Sequence, residues 1–151
     1  MAEVYTVGIS AFAAAANKTA VTIAAGTTRR ARLLKIVFGQ VSAPASTDAS
    51  AEWQLRRWTA DGTGTAVTPA QNDPLGPAAI LTSKVNYSAE PTYATGALAF
   101  IGINQRATYT WSPIQETEKI LTDLTSGHGI GLQAISVPSS STWDITVWFE
   151  E

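Results

Sequence analysis

Thr142-Trp143-Asp144-Ile145-Thr146-Val147-Trp148-Phe149-Glu150-Glu151 closes the chain and decides how the rest is read. Odd positions from 143 to 149 hold Trp, Ile, Val and Phe; even positions from 142 to 150 hold Thr, Asp, Thr, Trp and Glu. Such alternation sends one set of side chains to each face of an extended strand, so a half-buried antiparallel strand is expected here. The last residues are then built into a sheet. Trp148 breaks the pattern, because it falls on the side that should meet water. A large aromatic placed there calls for a partner.

Working outward, the same period recurs. Thr19–Ala25 alternates through Val21 and Ile23, Arg32–Val41 carries Leu34, Ile36 and Phe38 on one parity, and Glu52–Thr59 holds Trp53, Leu55 and Trp58. Gly102–Trp111 reads as one clean strand, Ala78–Tyr87 as a weak one, and Glu118–Leu124 and His128–Val137 precede the closing strand. Between them lie turn residues: a Ser/Ala/Pro/Asp loop from 41 to 51, three prolines between Pro69 and Pro77, and Asp61-Gly62-Thr63-Gly64, where Asp-Gly signals a hairpin. No segment reads as an amphipathic helix, and no repeat of fixed period is visible.

Roughly eight or nine short strands with frequent turns favour an all-β sandwich over βαβ units. Eight antiparallel strands in two facing sheets make a jelly roll. An immunoglobulin-like sandwich is the rival, with fewer strands and usually a cysteine pair that this chain lacks. Residues 1–18 stand apart: Val4, Tyr5, Val7 and Ile9 fit a short strand, and Phe12 leads into an alanine run too short for a stable helix. They are expected as an N-terminal arm or a first strand, with residues 19–151 forming a single β-sandwich domain.

Composition narrows the function classes. The 151 residues suit one domain with a sizeable core. Only 15% are charged, against the usual quarter, so much of the surface is small and polar or is covered by other subunits. A net charge of -2 supplies no basic field for nucleic acid or an anionic membrane. No apolar run approaches the length of a membrane helix, and Met1-Ala2-Glu3-Val4 has no basic, apolar leader pattern. Without cysteine there are no disulfides and no thiolate metal ligands.

Reactive chemistry is sparse. The single histidine, His128, lies in Gly127-His128-Gly129-Ile130-Gly131, and no activated Ser or Cys motif accompanies it; a polar strand start is the simpler account. The glycines are not a phosphate loop, since no Lys-Ser/Thr follows. The aspartates are scattered, and Asn72-Asp73 before Pro74 reads as a turn rather than a calcium site. No catalytic residue, cofactor or metal ligand is expected. Arg29-Arg30-Ala31-Arg32 and Arg56-Arg57 should pair with carboxylates or an acidic partner. Trp53, Trp111 and Trp143 share parity with apolar neighbours and belong to a core. Trp58 and Trp148 have the opposite parity and are candidate interface residues, unless a bulge near Arg57 turns Trp58 inward. Arg56, Phe12 and Tyr5 complete the candidate interface.

Several of these stretches together resemble the auxiliary capsid proteins of tailed phages, trimeric decoration or cement proteins with a jelly-roll fold. They are Ala51–Trp58, Ala60–Pro69, Phe100–Trp111 and the closing Val147-Trp148-Phe149-Glu150-Glu151. The resemblance spans about residue 30 to the end and rests on structural motifs. It implies a homotrimer made in a host cytoplasm and docked on the major capsid protein outside the phage head, where it ties capsomers together, often through an N-terminal arm. Multivalent docking would turn modest contacts into firm retention. The competing classes are a carbohydrate- or receptor-binding sandwich, which also uses exposed Trp, and a cupin-like enzyme, which wants several His ligands.

Overall fold

The computed structural model describes residues 3–115 and 119–151. Met1 and Ala2, and Glu118 at the head of the strand expected over 118–124, lie outside them. The chain forms two antiparallel sheets. Sheet A runs in the order β6 (Ala70–Gln71), β1 (Val4–Ala13), β11 (Thr142–Glu150), β3 (Arg32–Gln40), β9 (Tyr109–Trp111). Sheet B runs β5 (Thr63–Val67), β7 (Ser83–Ala89), β2 (Thr19–Ala24), β10 (Gly129–Ser136), β4 (Ser50–Ala60), β8 (Thr92–Asn104).

Eight of these strands nest as one long hairpin. β1 pairs with β11, β2 with β10, β3 with β9 and β4 with β8. Rolling that ribbon so that successive pairs fall in alternate sheets gives the jelly roll. The immunoglobulin-like rival does not have this nested order.

The closing strand behaves as its pattern dictates. Trp143, Ile145, Val147 and Phe149 are buried, while Asp144, Thr146, Trp148 and Glu150 face outward. Between the sheets Trp53 is the hub. Its ring centroid lies 5.6 Å from Phe38, 5.6 Å from Trp143 in an edge-on contact, and 6.2 Å from Phe12. Each such pair adds about 0.5–1.5 kcal/mol beyond the area buried.

The N-terminal segment resolves into one of its two expected forms, and three other local expectations are corrected, each for an identifiable reason. Of the two readings of the N-terminal segment, arm or first strand, Val4–Ala13 takes the second: it is a strand of this molecule's own sheet A, with β11 on one side and β6 on the other. The Asp61-Gly62 turn makes no hairpin, because β4 and β5 do not pair. Ala60 stands opposite Thr92 and Thr63 opposite Ala89, the same offset on both sides, so β4–β5 and β7–β8 form one continuous two-stranded ribbon with a corner at Asp61-Gly62. Gly102–Trp111 is two strands, since Asn104 Oδ1 accepts the Arg106 N–H at 2.9 Å and its carbonyl accepts the Ala107 N–H at 3.0 Å. That turn carries the chain from sheet B to sheet A, and buried Gln105 anchors it by donating to the Thr47 carbonyl at 2.8 Å. Over residues 119–124, a single bridge from Leu121 to Arg32 replaces the expected strand.

Candidate docking surface

The five candidate interface residues part company in the structure. Tyr5 follows its parity into the core, beside Phe149 at 5.8 Å, and its hydroxyl donates to the Pro77 carbonyl at 3.0 Å. Phe12 has the opposite parity to Ile9, yet both are buried. A bulge between them adds one residue to β1 and turns Phe12 inward. The bulged Ala11 sits at φ 51°, and Asp144 Oδ1 accepts its N–H at 2.8 Å, so the donor left over by the bulge is satisfied. Neither Tyr5 nor Phe12 is available to a partner.

Trp58 does point away from the core, as its parity requires, but it is only 2% exposed. Its pairing with β10 is continuous through Leu55, so no flip of β4 is involved; the irregularity lies opposite, where β8 carries extra residues between Tyr93 and Ala97. The ribbon corner lies over the outer face of sheet B. Gly129 and Gly131 form the floor beneath it: a Cβ on Gly129 would lie 2.5 Å from the Trp58 ring, and one on Gly131 would lie 2.3 Å from the Tyr93 hydroxyl. Tyr93 reaches Thr19 Oγ1 at 2.9 Å, and Tyr87 reaches Thr22 Oγ1 at 2.6 Å. Burial raises the pKa of both phenols, that of Tyr87 to about 12. Arg56 belongs to the same layer. It donates to Gln133 Oε1 at 2.9 Å and the Ala94 carbonyl at 2.8 Å, with its guanidinium 5.1 Å from the Tyr93 ring. Trp58 and Arg56 are thus engaged inside the molecule, and the glycine spacing around His128 serves this packing.

Trp148 lies on the outer face of sheet A and is half-buried there. On the outside of sheet A it stands between Thr6 of β1 and Lys35 of β3, whose ammonium lies 4.0 Å from its ring centroid. Around it the face mixes small and charged residues: Gly8 and Val37 flank Thr146, Thr110 lies beyond Val37, and Glu150, paired with Arg32, stands two residues along the strand. Sequence reasoning missed the other outward apolar residues. Leu75 is 95% exposed, Ile114 90% and Phe100 71%, the first two on loops and the third on β8. Thr, Ala and Gly leave residues 88–101 without a two-residue pattern, so the sequence signals no strand there.

The polar candidates are accounted for locally. His128 Nδ1 lies 2.9 Å from Asp123 Oδ2, and Asp123 Oδ1 accepts the Thr125 N–H at 3.0 Å. Partial burial opposes ionisation of Asp123, but these two hydrogen bonds outweigh it and lower its pKa. The pair closes the turn into β10. Asp73 Oδ1 accepts the Leu75 N–H at 2.9 Å, in keeping with a turn role for Asn72-Asp73. Arg32 pairs with Glu150 at 2.6 Å, Arg30 donates to the Thr122 carbonyl at 2.7 Å, and Arg57 donates to the Leu121 carbonyl. Among the described residues no three His, Cys, Asp or Glu side chains gather as a metal site. A cleft of about 270 Å³ is lined by Gln40, Ser42, Gln105, Arg106 and Thr108.

Compared with known proteins, the chain matches no family model, no curated sequence and no solved structure.

Proposed function

We propose that this chain is a structural, self-assembling capsid decoration protein: a homotrimer that binds the outside of a phage head and stabilises it by bridging capsomers of the major capsid protein. The observation that carries the reading is the apolar surface the fold leaves outside: Leu75 and Ile114 on loops, 95% and 90% exposed, with the half-buried Trp148 on the outer face of sheet A. A chain with 15% charged residues keeps such groups dry by assembling. The sheet A face is the seam between subunits, and the loop residues are left for the shell. The mechanism is mechanical: apolar area buried across seams raises the free energy of rupture, and three linked contacts hold better than one.

The test is binding to heads. The purified protein, mixed with heads of a tailed phage stripped of their auxiliary protein, is expected to co-sediment at three-fold positions and raise the temperature of genome release. Heads that stay bare at saturating protein, across a panel of tailed phages, would count against it.

The cleft beside Arg106 favours a second reading, a carbohydrate-binding module. Its amide, hydroxyl and guanidinium groups match sugar hydroxyls, and Tyr109 follows in the chain. A glycan-array signal abolished by Arg106→Ala and untouched by Trp148→Ala would support this reading over the first.

A further inference from the structure

Natural sheets guard their edges with short strands, charges, prolines or bulges, because an unpaired edge is a template for another strand. Three of the four edges here are short: β6 has 2 residues, β9 has 3 and β5 has 5. The fourth, β8, has 13 residues without a charge or a proline. Its irregularities are confined to the end near the ribbon corner. From Ala99 to Asn104 it runs in unbroken register against Leu55 to Ser50, and its other side faces no strand among the described residues.

The side chains along this edge say what should pair with it. Phe100 stands opposite Gln54 on the outer face and is 71% exposed. Two residues on, Gly102 is on the same face, and a Cβ there would have nothing within 4 Å. The stretch is therefore complementary to itself. Laid antiparallel to its own copy with Ile101 opposite Ile101, each Phe100 falls across from the other copy's Gly102, into space no side chain fills. Covering a strand glycine with a cross-strand aromatic is a recognised way to stabilise an edge. Ala99 then meets Ile103 on the inner side. A partner without an extended strand would bury Phe100 while leaving the edge N–H and C=O groups dry and unpaired. The absence of charge means two copies do not repel.

We propose that β8 is a self-association edge: two copies pair antiparallel through Ala99–Ile103, joining their B sheets into one, with Phe100 of each seated on Gly102 of the other. A three-fold seam is heterologous and this contact is two-fold, so it stands apart from the trimer and would link one assembly unit to the next.

Sedimentation over a wide concentration range tests it. The unit present at dilution is expected to double in mass as concentration rises, with Phe100→Lys abolishing the doubling and leaving both the dilute unit and the melting temperature unchanged. Register is tested by a Phe100→Cys, Gly102→Cys double variant, in a chain that otherwise has no cysteine. Mild oxidation is expected to give covalent dimers from the double variant and few from either single one. A mass that stays constant to the solubility limit, with no crosslinking in the double variant, would overturn the inference. A non-doubling trimer would sink this edge and keep the trimer; a dimer that Phe100→Lys dissociates to monomers would do the reverse.

Discussion

Trp58 and Trp148 occupy the same logical position on different sheets, both pointing away from the core, and meet opposite fates. Over sheet B the β4–β5/β7–β8 ribbon turns a corner and lays Trp58, Tyr93 and Tyr87 on a floor made by two glycines. Over sheet A, Trp148 is half-buried, with the Lys35 ammonium 4.0 Å from its ring centroid. One face has been made into a second, thinner core. The other has been left flat, and it is there that a partner has room. Strand parity tells which way a side chain points; whether water reaches it depends on what the rest of the chain places on top.

The sharpest way to break this contrast is to delete each indole in turn. Trp58→Ala is expected to destabilise the fold by about 3–5 kcal/mol in urea unfolding. Trp148→Ala in dilute, unassembled protein should change it by no more than about 0.5–1 kcal/mol, as an outer-surface site does. Similar losses at both would mean that the faces do not differ. Next in size is the floor itself. Gly131→Ala places a Cβ where the Tyr93 hydroxyl now lies, 2.3 Å away, and should cost about 1–3 kcal/mol by overpacking. Gly102→Ala, with open space around it, should be nearly neutral by the same assay.

The covered face also carries a signature in alkali that the open face lacks. Tyr87 ionises near 10.0 when unfolded and near 12 when folded, with burial the chief cause. Between those two values the unfolded chain loses its proton first, so the stabilisation present below pH 10 is progressively lost toward pH 12. The urea midpoint should fall over this range, and Tyr87→Phe should flatten the fall. A smaller effect is expected at the acid end. The hydrogen bonds that hold Asp123 below the ordinary carboxylate value of 3.8 contribute stability above that pH, and it is lost as the pH drops through the folded value. Asp123→Asn should make the low-pH slope shallower.

Much of the fold was legible because burial on one face writes itself into alternation. Trp143 to Phe149, Val21 with Ile23, and Trp53 with Leu55 all point as their parity requires. What escaped was set by pairs distant in sequence. The bulge that sends Phe12 inward is fixed by β11 and by the Asp144 carboxylate, 133 positions away, and no local pattern encodes it. The Asp61-Gly62 signal reported a change of direction correctly but could not say that the ribbon continues beyond it. Of the proposed contact residues, parity alone gave Trp148. Phe100 stayed hidden because its strand is too rich in Ala, Gly and Thr to alternate.

The assembly itself is the most direct measurement. Sedimentation at low micromolar loading is expected to give three times the 15.9 kDa chain mass for the native protein and a shift toward single chains for Trp148→Ala. A native protein that sediments as single 15.9 kDa chains at every loading, with Trp148→Ala indistinguishable from it, would contradict the claim that the bare face of sheet A is covered by other copies.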